Sequence, residues 1–189
     1  MSTKGINFPK TRLGMAKMNK LTEAAEGLFT TKGFYDTSIV DICKMADTAV
    51  GTFYIYFETK TDVYRFLLDK YKREIEGMMK EAICGYSDPT ERRRESVRLL
   101  TRYVAHHKSA YSIILGSLSV DKDMFFDCLS SLTDTYLHHL VEDHADASAI
   151  AYSLMGIAGM LGLKAISEEM SDEDIDKMID QAAIPGLLT

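Results

Sequence analysis

Apolar residues recur every three or four positions along almost the whole chain, which is the period of an α-helix. The aromatic and β-branched run 53–57 is the one strand-like stretch, and it is too short and isolated to pair. No repeat of about 20–50 residues is visible. The pattern predicts an all-α fold of about nine helices. They are expected at about 13–32, from 39, 49–55, from 61 to Gly85, 90–107, 110–118, 121–143, 147–167 and 172–184.

Local start and stop signals support these helices. Ser38–Asp41, Thr59–Asp62 and Ser171–Asp174 each have the form of a capping box, in which the first side chain and the fourth bond to each other's backbone amides. Gly33 follows the first predicted helix, where a C-cap glycine belongs. The three boxes mark where three of the helices begin.

Residues 147–163 run for 17 positions without a charge, so a membrane span has to be considered. A spanning helix needs about 20 mostly apolar residues. This segment is at the short limit and contains serine, tyrosine and three glycines. A helix of a soluble protein, buried on most sides, is the favoured interpretation.

The chain has 189 residues, 46% hydrophobic and 26% charged, which excludes wholesale disorder. Its net charge of −6 is unevenly distributed. Residues 1–73 carry 12 Lys and Arg against 8 Asp and Glu, whereas residues 74–189 carry 10 against 20. Five basic residues and no acid lie within the first twenty positions: Lys4, Lys10, Arg12, Lys17 and Lys20. Either the N-terminal part meets a polyanion, or the basic arm is a solvated tail.

The cysteines are few and widely spaced: Cys43, Cys84 and Cys128. An odd number without a CxxC pair is neither a disulfide framework nor a zinc-finger pattern. The chain also opens without a charged segment followed by an apolar one, so no secretory signal is expected. Both observations favour the reducing cytoplasm.

The most informative stretch is Thr37–Lys60, where two short helices meet at a tight turn near residues 46–48. This is helix-turn-helix geometry, in which the second helix enters the major groove of DNA. Thr48, Val50 and Thr52 are candidates for reading bases, and Lys60 for contacting phosphate at a helix N-terminus. The full predicted set of DNA contacts is Thr37, Thr48, Val50, Gly51, Thr52, Tyr54, Tyr56 and Lys60.

The region from Met15 to Tyr71 resembles the DNA-binding domain of the TetR family of bacterial transcriptional regulators. The most specific part is the run G-T-x-Y-x-Y-F-x-x-K at Gly51–Lys60. The resemblance implies a DNA-binding domain at residues 1–60 and a helical effector-binding and dimerisation domain at residues 61–189. The matching positions are Ala24, Leu28, Phe29, Gly33, Phe34, Thr37, Ile39, Asp41, Ile42, Ala46, Gly51, Thr52, Tyr54, Tyr56, Phe57, Lys60 and Val63.

One departure from the family pattern lies just before the second short helix. The family usually has Gly-Val-Ser there, whereas this chain has Asp47-Thr48-Ala49. Asp tolerates left-handed backbone, so Asp47 is expected to form the turn. Ala49 has no capping side chain, so Thr48 is expected to cap a helix that starts one residue early.

The resemblance further implies a homodimeric repressor of a palindromic operator, released by a small effector. Small residues in the apolar segment would permit close helix packing, either with a second copy or within the chain. The predicted dimer interface comprises Gly156, Gly159, Gly162, Ile175, Met178 and Ile179. An apolar or aromatic ligand would be lined by a set of residues for each of which, taken alone, a place in the core is the favoured interpretation: Met78, Met79, Tyr103, His107, Tyr111, Ile114, Phe125 and Cys128.

Other chemistry is weakly indicated. A cluster at one predicted helix end could bind a metal through pairs of residues four positions apart, but a solvated helix end is the favoured interpretation. The cluster comprises His138, His139, Glu142, Asp143 and His144. No nucleophile elbow or phosphate loop is visible, so we expect no enzyme, cofactor or metal site. The alternative function is a helical small-molecule-binding protein that no longer reads DNA.

Overall fold

The computed structural model describes residues 5–83, 85–140 and 147–182, and within these the chain forms nine α-helices. The prediction of an all-α fold is therefore confirmed. The helices are α1 (Arg12–Thr31), α2 (Ile39–Met45), α3 (Val50–Tyr56), α4 (Lys60–Ile83), α5 (Pro89–His106), α6 (Lys108–Val120), α7 (Lys122–Leu140), α8 (Ala147–Ser167) and α9 (Asp172–Gln181).

The predicted capping signals form as expected. At α2 the Asp41 amide donates to Ser38 Oγ (3.1 Å), and the Ser38 amide donates to the Asp41 carboxylate (3.0 Å). Thr59 and Asp62 make the same reciprocal pair at the start of α4, at 3.2 and 2.9 Å. Gly33 follows α1 with φ of 88°, a left-handed conformation that glycine adopts without strain. These ends are encoded locally, which is why the sequence predicts them.

The described residues divide into two compact units. The first comprises the residues up to Tyr71 together with Ser109–Phe126, and the second comprises Lys72–Lys108 and the residues from Asp127 onward. Most of α6 therefore belongs to the same unit as the two short helices. The functional division after residue 60 stays a prediction, since compactness does not show what a unit binds.

An aromatic cluster lies at the centre of the first unit. The ring of Tyr64 on α4 is 5.3 Å from Phe29 on α1 and 5.4 Å from Phe34. The Tyr64 hydroxyl donates to the carbonyl of Ile113 on α6 (2.7 Å), and burial raises the pKa of that phenol. The hydroxyl also lies close to Gly116 on α6. A Cβ at this position would be 2.7 Å from the oxygen, so a residue with a side chain would not fit there. Helices α1, α4 and α6 thus share one core.

Two interfaces on α5 organise the second unit. Helix α8 packs against α5, and a Cβ at Gly162 would lie 2.4 Å from Val104, so this glycine permits the close approach. Helix α9 is joined to α5 by ion pairs that follow the helical repeat on both helices. The pairs are Arg98 with Asp176 and Asp180, and Arg102 with Asp176, and beside them the His106 ring is hydrogen-bonded to the Asp172 carboxylate (2.7 Å).

One face of α8 is not covered within the chain. In the described residues, Ser148–Ser167 is the one segment long and apolar enough, by length and composition, to cross a membrane, a test that core helices of soluble proteins also pass. Only 28% of that segment is buried, so the expectation that it is buried on most sides is wrong for the single chain. Tyr152, Met160 and Leu163 are exposed instead.

Candidate nucleic-acid interface

The turn between α2 and α3 is tight and closed by backbone hydrogen bonds. The Ala46 amide donates to the Ile42 carbonyl (2.9 Å), and the Thr48 amide donates to the Cys43 carbonyl (3.0 Å). Asp47 lies between them with φ of 51°. This left-handed conformation is the one that Asp, Asn and Gly tolerate best, so the expected role of Asp47 as the turn residue is confirmed.

Helix α3 begins at Val50, with Ala49 as its N-cap residue and no side-chain cap. The expectation that Thr48 caps an earlier start is therefore wrong. The Thr48 hydroxyl oxygen is instead buried without a hydrogen-bond partner among the described residues. Burial raises the pKa of the Cys43 thiol, and Thr48 lowers it to a smaller extent. The turn holds Thr48 one residue too early to cap the helix.

Helix α3 has one buried face and one exposed face. Phe53 and Tyr56 point into the core of the first unit, with 0% and 6% of their surface exposed. The opposite face presents Val50, Tyr54 and Ile55, with Gly51 beside them. Three predicted contacts, Val50, Gly51 and Tyr54, are therefore brought together on an open surface.

Two predicted contacts on α3 are placed differently. Thr52 is half-buried, and Tyr56 is turned inward. Ile55 is not among the predicted contacts, although 55% of its surface is exposed. The helical repeat indicates it, because apolar side chains turned inward at 53 and 56 leave 51, 54 and 55 on the opposite side of the helix.

Thr37 and Lys60 are engaged inside the protein. The Thr37 hydroxyl donates to the Gly33 carbonyl (2.7 Å). The Lys60 ammonium donates to the carbonyls of Phe34 (2.5 Å) and Thr37 (2.6 Å) and lies 4.2 Å from the centre of the Phe34 ring. Burial lowers the pKa of Lys60 and Asp36 raises it to a smaller extent. Lys60 thus fastens the α1–α2 loop to the start of α4, and its predicted contact with phosphate stays a prediction.

Cations of the basic arm remain at the surface. Lys10, Arg12, Lys17 and Lys20 are exposed, and the first turn of α1 contains no acid. Lys4 lies outside the described residues. The first unit therefore carries positive side chains that a polyanion can reach.

The predicted effector-binding residues are distributed over both units. In the second unit Met79, Tyr103 and Cys128 are buried, and Met78 is half-buried. His107 is exposed and stacks on Tyr103, with the ring centres 4.2 Å apart. The other three, Tyr111, Ile114 and Phe125, are half-buried in the first unit. A common pocket stays a prediction.

The predicted dimer residues fall into two groups. Gly162, Ile175 and Ile179 are buried within the chain, so the intrachain alternative accounts for them. Gly156 is exposed with open space beyond it, and Gly159 and Met178 are partly exposed. Only this second group can meet another molecule without rearrangement.

Metal chemistry has no support among the described residues. No three His, Cys, Asp or Glu side chains among those that the structure describes are grouped so that they could hold a metal ion. The predicted cluster of His138, His139, Glu142, Asp143 and His144 lies outside the described side chains.

Comparison with known proteins agrees with this geometry. Residues 21–65 match the family described as bacterial regulatory proteins, tetR family. The Bacillus subtilis (strain 168) protein named uncharacterized HTH-type transcriptional regulator YwcC is 34% identical over 113 residues, which cover 58% of this chain and 48% of that protein. The chain therefore spans less than half of the length of this curated relative.

Solved structures share this fold over most of the chain. A putative TetR-family transcriptional regulator from Syntrophomonas wolfei is 25% identical with a TM-score of 0.70, over 86% of this chain and 90% of that one. The fatty acid degradation regulator FadR from Bacillus halodurans has a TM-score of 0.74 at 16% identity, over 95% and 98% of the two chains, a likeness of fold alone. The matched family and the named relatives are transcriptional regulators rather than enzymes. Residues 21–65 therefore match the TetR family of bacterial transcriptional regulators, and the chain shares its fold with a solved structure of a putative TetR-family regulator.

Proposed function

We propose that this chain is a cytoplasmic transcriptional regulator that binds double-stranded DNA through α3. The observation that carries the proposal is the exposed face of α3, where Val50, Gly51, Tyr54 and Ile55 lie together beyond a tight helix-turn-helix turn. The major groove accepts one α-helix, and an exposed helix face of this kind fits it. Tyr54 offers a hydroxyl to phosphate or base edges, and Val50 and Ile55 offer apolar contact to thymine methyl groups.

The active form is a homodimer, and its operator is palindromic. The exposed face of α8 supports this, since Tyr152, Met160 and Leu163 form an uncovered apolar surface and Gly156 has open space beside it. Exposed apolar patches mark interaction sites, and a residue without a side chain lets two helices approach closely. Two-fold symmetry in the protein then requires two-fold symmetry in the DNA site.

Binding of an apolar or aromatic effector releases the protein from DNA, so that it acts as a repressor. Helix α6 supports a route for the signal, because its carbonyls at Ile113 and Ser119 accept hydrogen bonds from Tyr64 and Tyr35. Tyr35 belongs to the loop that leads into α2. An effector that binds one position of α6 better than another shifts the protein between DNA-binding and released states.

The test is selection of DNA by the purified protein. Random-sequence duplexes retained at near-physiological salt are sequenced, and a recurring palindrome is expected. Tyr54→Ala is expected to weaken binding of the enriched duplex by about tenfold, the loss of one good contact. Tyr86→Ala is the matched control, since Tyr86 is an exposed tyrosine in the loop between α4 and α5.

The alternative is a small-molecule-binding protein that no longer reads DNA. The exposed carboxylate of Asp47, in the turn before α3, is the observation that favours it, because it repels phosphate. Retention of duplexes without a shared sequence, or no retention at all, would overturn the regulator proposal and support this alternative.

A further inference from the structure

The segment before α1 is attached to the end of helix α3. Ile6 and Phe57 form an antiparallel β-bridge. The Asn7 amide donates to the Tyr56 carbonyl (2.8 Å), and the Glu58 amide donates to the Gly5 carbonyl (3.0 Å). We call Gly5–Phe8 the N-terminal strap. Within the described residues it is the one place where the chain pairs as a strand.

The strap supplies hydrogen bonds that the helix end lacks. The last carbonyls of an α-helix have no partner within the helix. The Asn7 side-chain amide donates to the Ile55 carbonyl (3.0 Å), next to the bond from the Asn7 backbone to Tyr56. One residue thus binds the final two carbonyls of α3.

The strap is also anchored at both of its ends. Gly5 has φ of 81°, and a Cβ on it would lie 2.6 Å from the carboxylate atoms of Asp62. That carboxylate is already fixed by Thr59 and by Arg65 at 2.8 Å. At the other end, the Phe8 ring lies 6.2 Å from Phe66 of α4. Only glycine fits at position 5 in this arrangement.

Helix α3 needs such support because it is short. It has seven residues and no side-chain cap, and helices shorter than about 12 residues are marginal by themselves. Phe53 and Tyr56 hold its inner face. The strap holds its C-terminal end, directly behind the exposed side chains of Tyr54 and Ile55.

From this geometry we propose that Asn7 is a positioning residue for DNA recognition. By binding the Ile55 and Tyr56 carbonyls, it fixes the orientation in which α3 presents Tyr54 and Ile55 to base edges. Asn7 itself touches no base in this proposal. The inference rests on the proposed function, since it concerns how α3 is held when it reads DNA.

Two substitutions test the strap. Asn7→Ala removes the side-chain donor, and Gly5→Ala adds a methyl group where Asp62 leaves no room and where the backbone is left-handed. Asn19→Ala and Gly77→Ala are the matched controls, because Asn19 is exposed on α1 and Gly77 has open space beside it on α4. Neither test variant changes the charge of the protein.

Binding is measured on two duplexes, one enriched by the unchanged protein from a random library and one scrambled from it. Asn7→Ala is expected to bind the enriched duplex about fivefold more weakly and Gly5→Ala about tenfold, corresponding to one or two lost hydrogen bonds. Affinity for the scrambled duplex and the salt dependence are expected to stay unchanged, because non-specific binding depends on cations. If Asn7 and Gly5 served only the stability of the fold, the ratio of the affinities for the enriched and the scrambled duplex would stay unchanged at temperatures where the protein is folded.

Hydrogen exchange shows whether the strap has been released. The amides of Asn7 and Glu58 are protected only by the strap, so their exchange is expected to accelerate in Gly5→Ala while the core of α1 stays protected. Equal affinity for the enriched duplex beside accelerated exchange at Glu58 would overturn the proposal. Failure of the unchanged protein to enrich any sequence would overturn the proposed function, and this inference with it.

Discussion

Helices α3 and α8 both leave one face uncovered, but different forces hold them. Helix α3 has seven residues and depends on its surroundings, which are two aromatic side chains beneath it and the strap at its end. Helix α8 has 21 residues, and small side chains let it pack closely on α5. The exposed face of α8 is apolar. Helix α3 exposes a tyrosine beside its apolar side chains, and the exposed cations of the basic arm lie in the same unit as α3.

The difference teaches what each exposed face is suited for. A short helix that is held at its buried face and at its C-terminal end can present side chains to a ligand in one orientation. The contacts with its neighbours offset the low stability of a helix of this length. A long helix with an apolar face offers area, which is what a second copy of the chain needs.

The largest expected effect is at Lys60. Lys60→Met keeps the apolar stem but leaves the Phe34 and Thr37 carbonyls without their charged donor, so the free energy of unfolding is expected to fall by about 3 kcal/mol. Denaturant titration measures this, with the exposed Lys20→Met as control. If Lys60 acts only on phosphate, DNA affinity falls and stability does not, and the α1–α2 loop would then need no support from this residue.

The next effect compares two glycines of α8. Gly162→Ala forces a methyl group into Val104 and is expected to lower the free energy of unfolding by about 2 kcal/mol. Gly156→Ala meets no atom of the single chain and is expected to stabilise the monomer by up to about 1 kcal/mol. Denaturant unfolding of both variants, at a protein concentration low enough to keep the chain monomeric, checks this. Equal losses in the monomer would contradict the open space beside Gly156.

The apolar face of α8 gives a third prediction. In the single chain 66% of the surface of Met160 is exposed. Met160→Glu would bury a charge in the proposed interface, so it is expected to weaken dimerisation at least about tenfold. Sedimentation equilibrium measures the dissociation constant, and circular dichroism checks that the chain stays helical. Leu13→Glu on α1, at a residue 69% exposed, is the control. An unchanged dimer would show that another surface joins the copies.

The smallest effect concerns the helix starts, where the two units are expected to behave alike. Hydrogen bonds from Ser38 lower the pKa of Asp41, and those from Ser171 lower the pKa of Asp174. Because the folded protein then binds fewer protons than the unfolded one, this stabilisation is present at neutral pH and is lost as the pH falls through the lowered pKa of each carboxyl. NMR titration of both carboxyls, with Ser38→Ala as the variant, measures it. The variant is expected to raise the pKa of Asp41 and leave Asp174 unchanged.

Local features of the fold could be predicted from the sequence, since they depend on neighbouring residues. The boxes at Ser38 and Thr59 and the left-handed Gly33 and Asp47 each follow from a few adjacent side chains. Helix starts and turns are decided by such contacts. The same reasoning failed at Thr48, where the geometry of the turn, rather than the preference of the residue, determines the cap.

The contacts that hold the candidate site are long-range, and no local pattern announces them. A lysine beside a helix start suggests an exposed cation, yet the ammonium of Lys60 is bound by carbonyls 26 and 23 positions earlier. The bridge between Ile6 and Phe57 joins the end of the strand-like stretch 53–57 to a residue with no strand pattern around it, so the expectation that this stretch does not pair is wrong at Phe57. Gly156 and Gly162 are the same residue on the same helix, and only the position of α5 distinguishes them.

The discontinuity of the first unit has a consequence for how the protein is made. Its core includes Ile113 of α6, whose side chain is buried and whose carbonyl accepts the hydrogen bond from Tyr64. Helix α6 follows the stretch Lys72–Lys108, which belongs to the second unit. On the ribosome, the helix-turn-helix is therefore synthesised long before the segment that completes its core. The nascent chain must wait for residues 109–126 to emerge before this unit can close. A gene fragment that ends after α4 would encode the recognition helix without the full core that stabilises it.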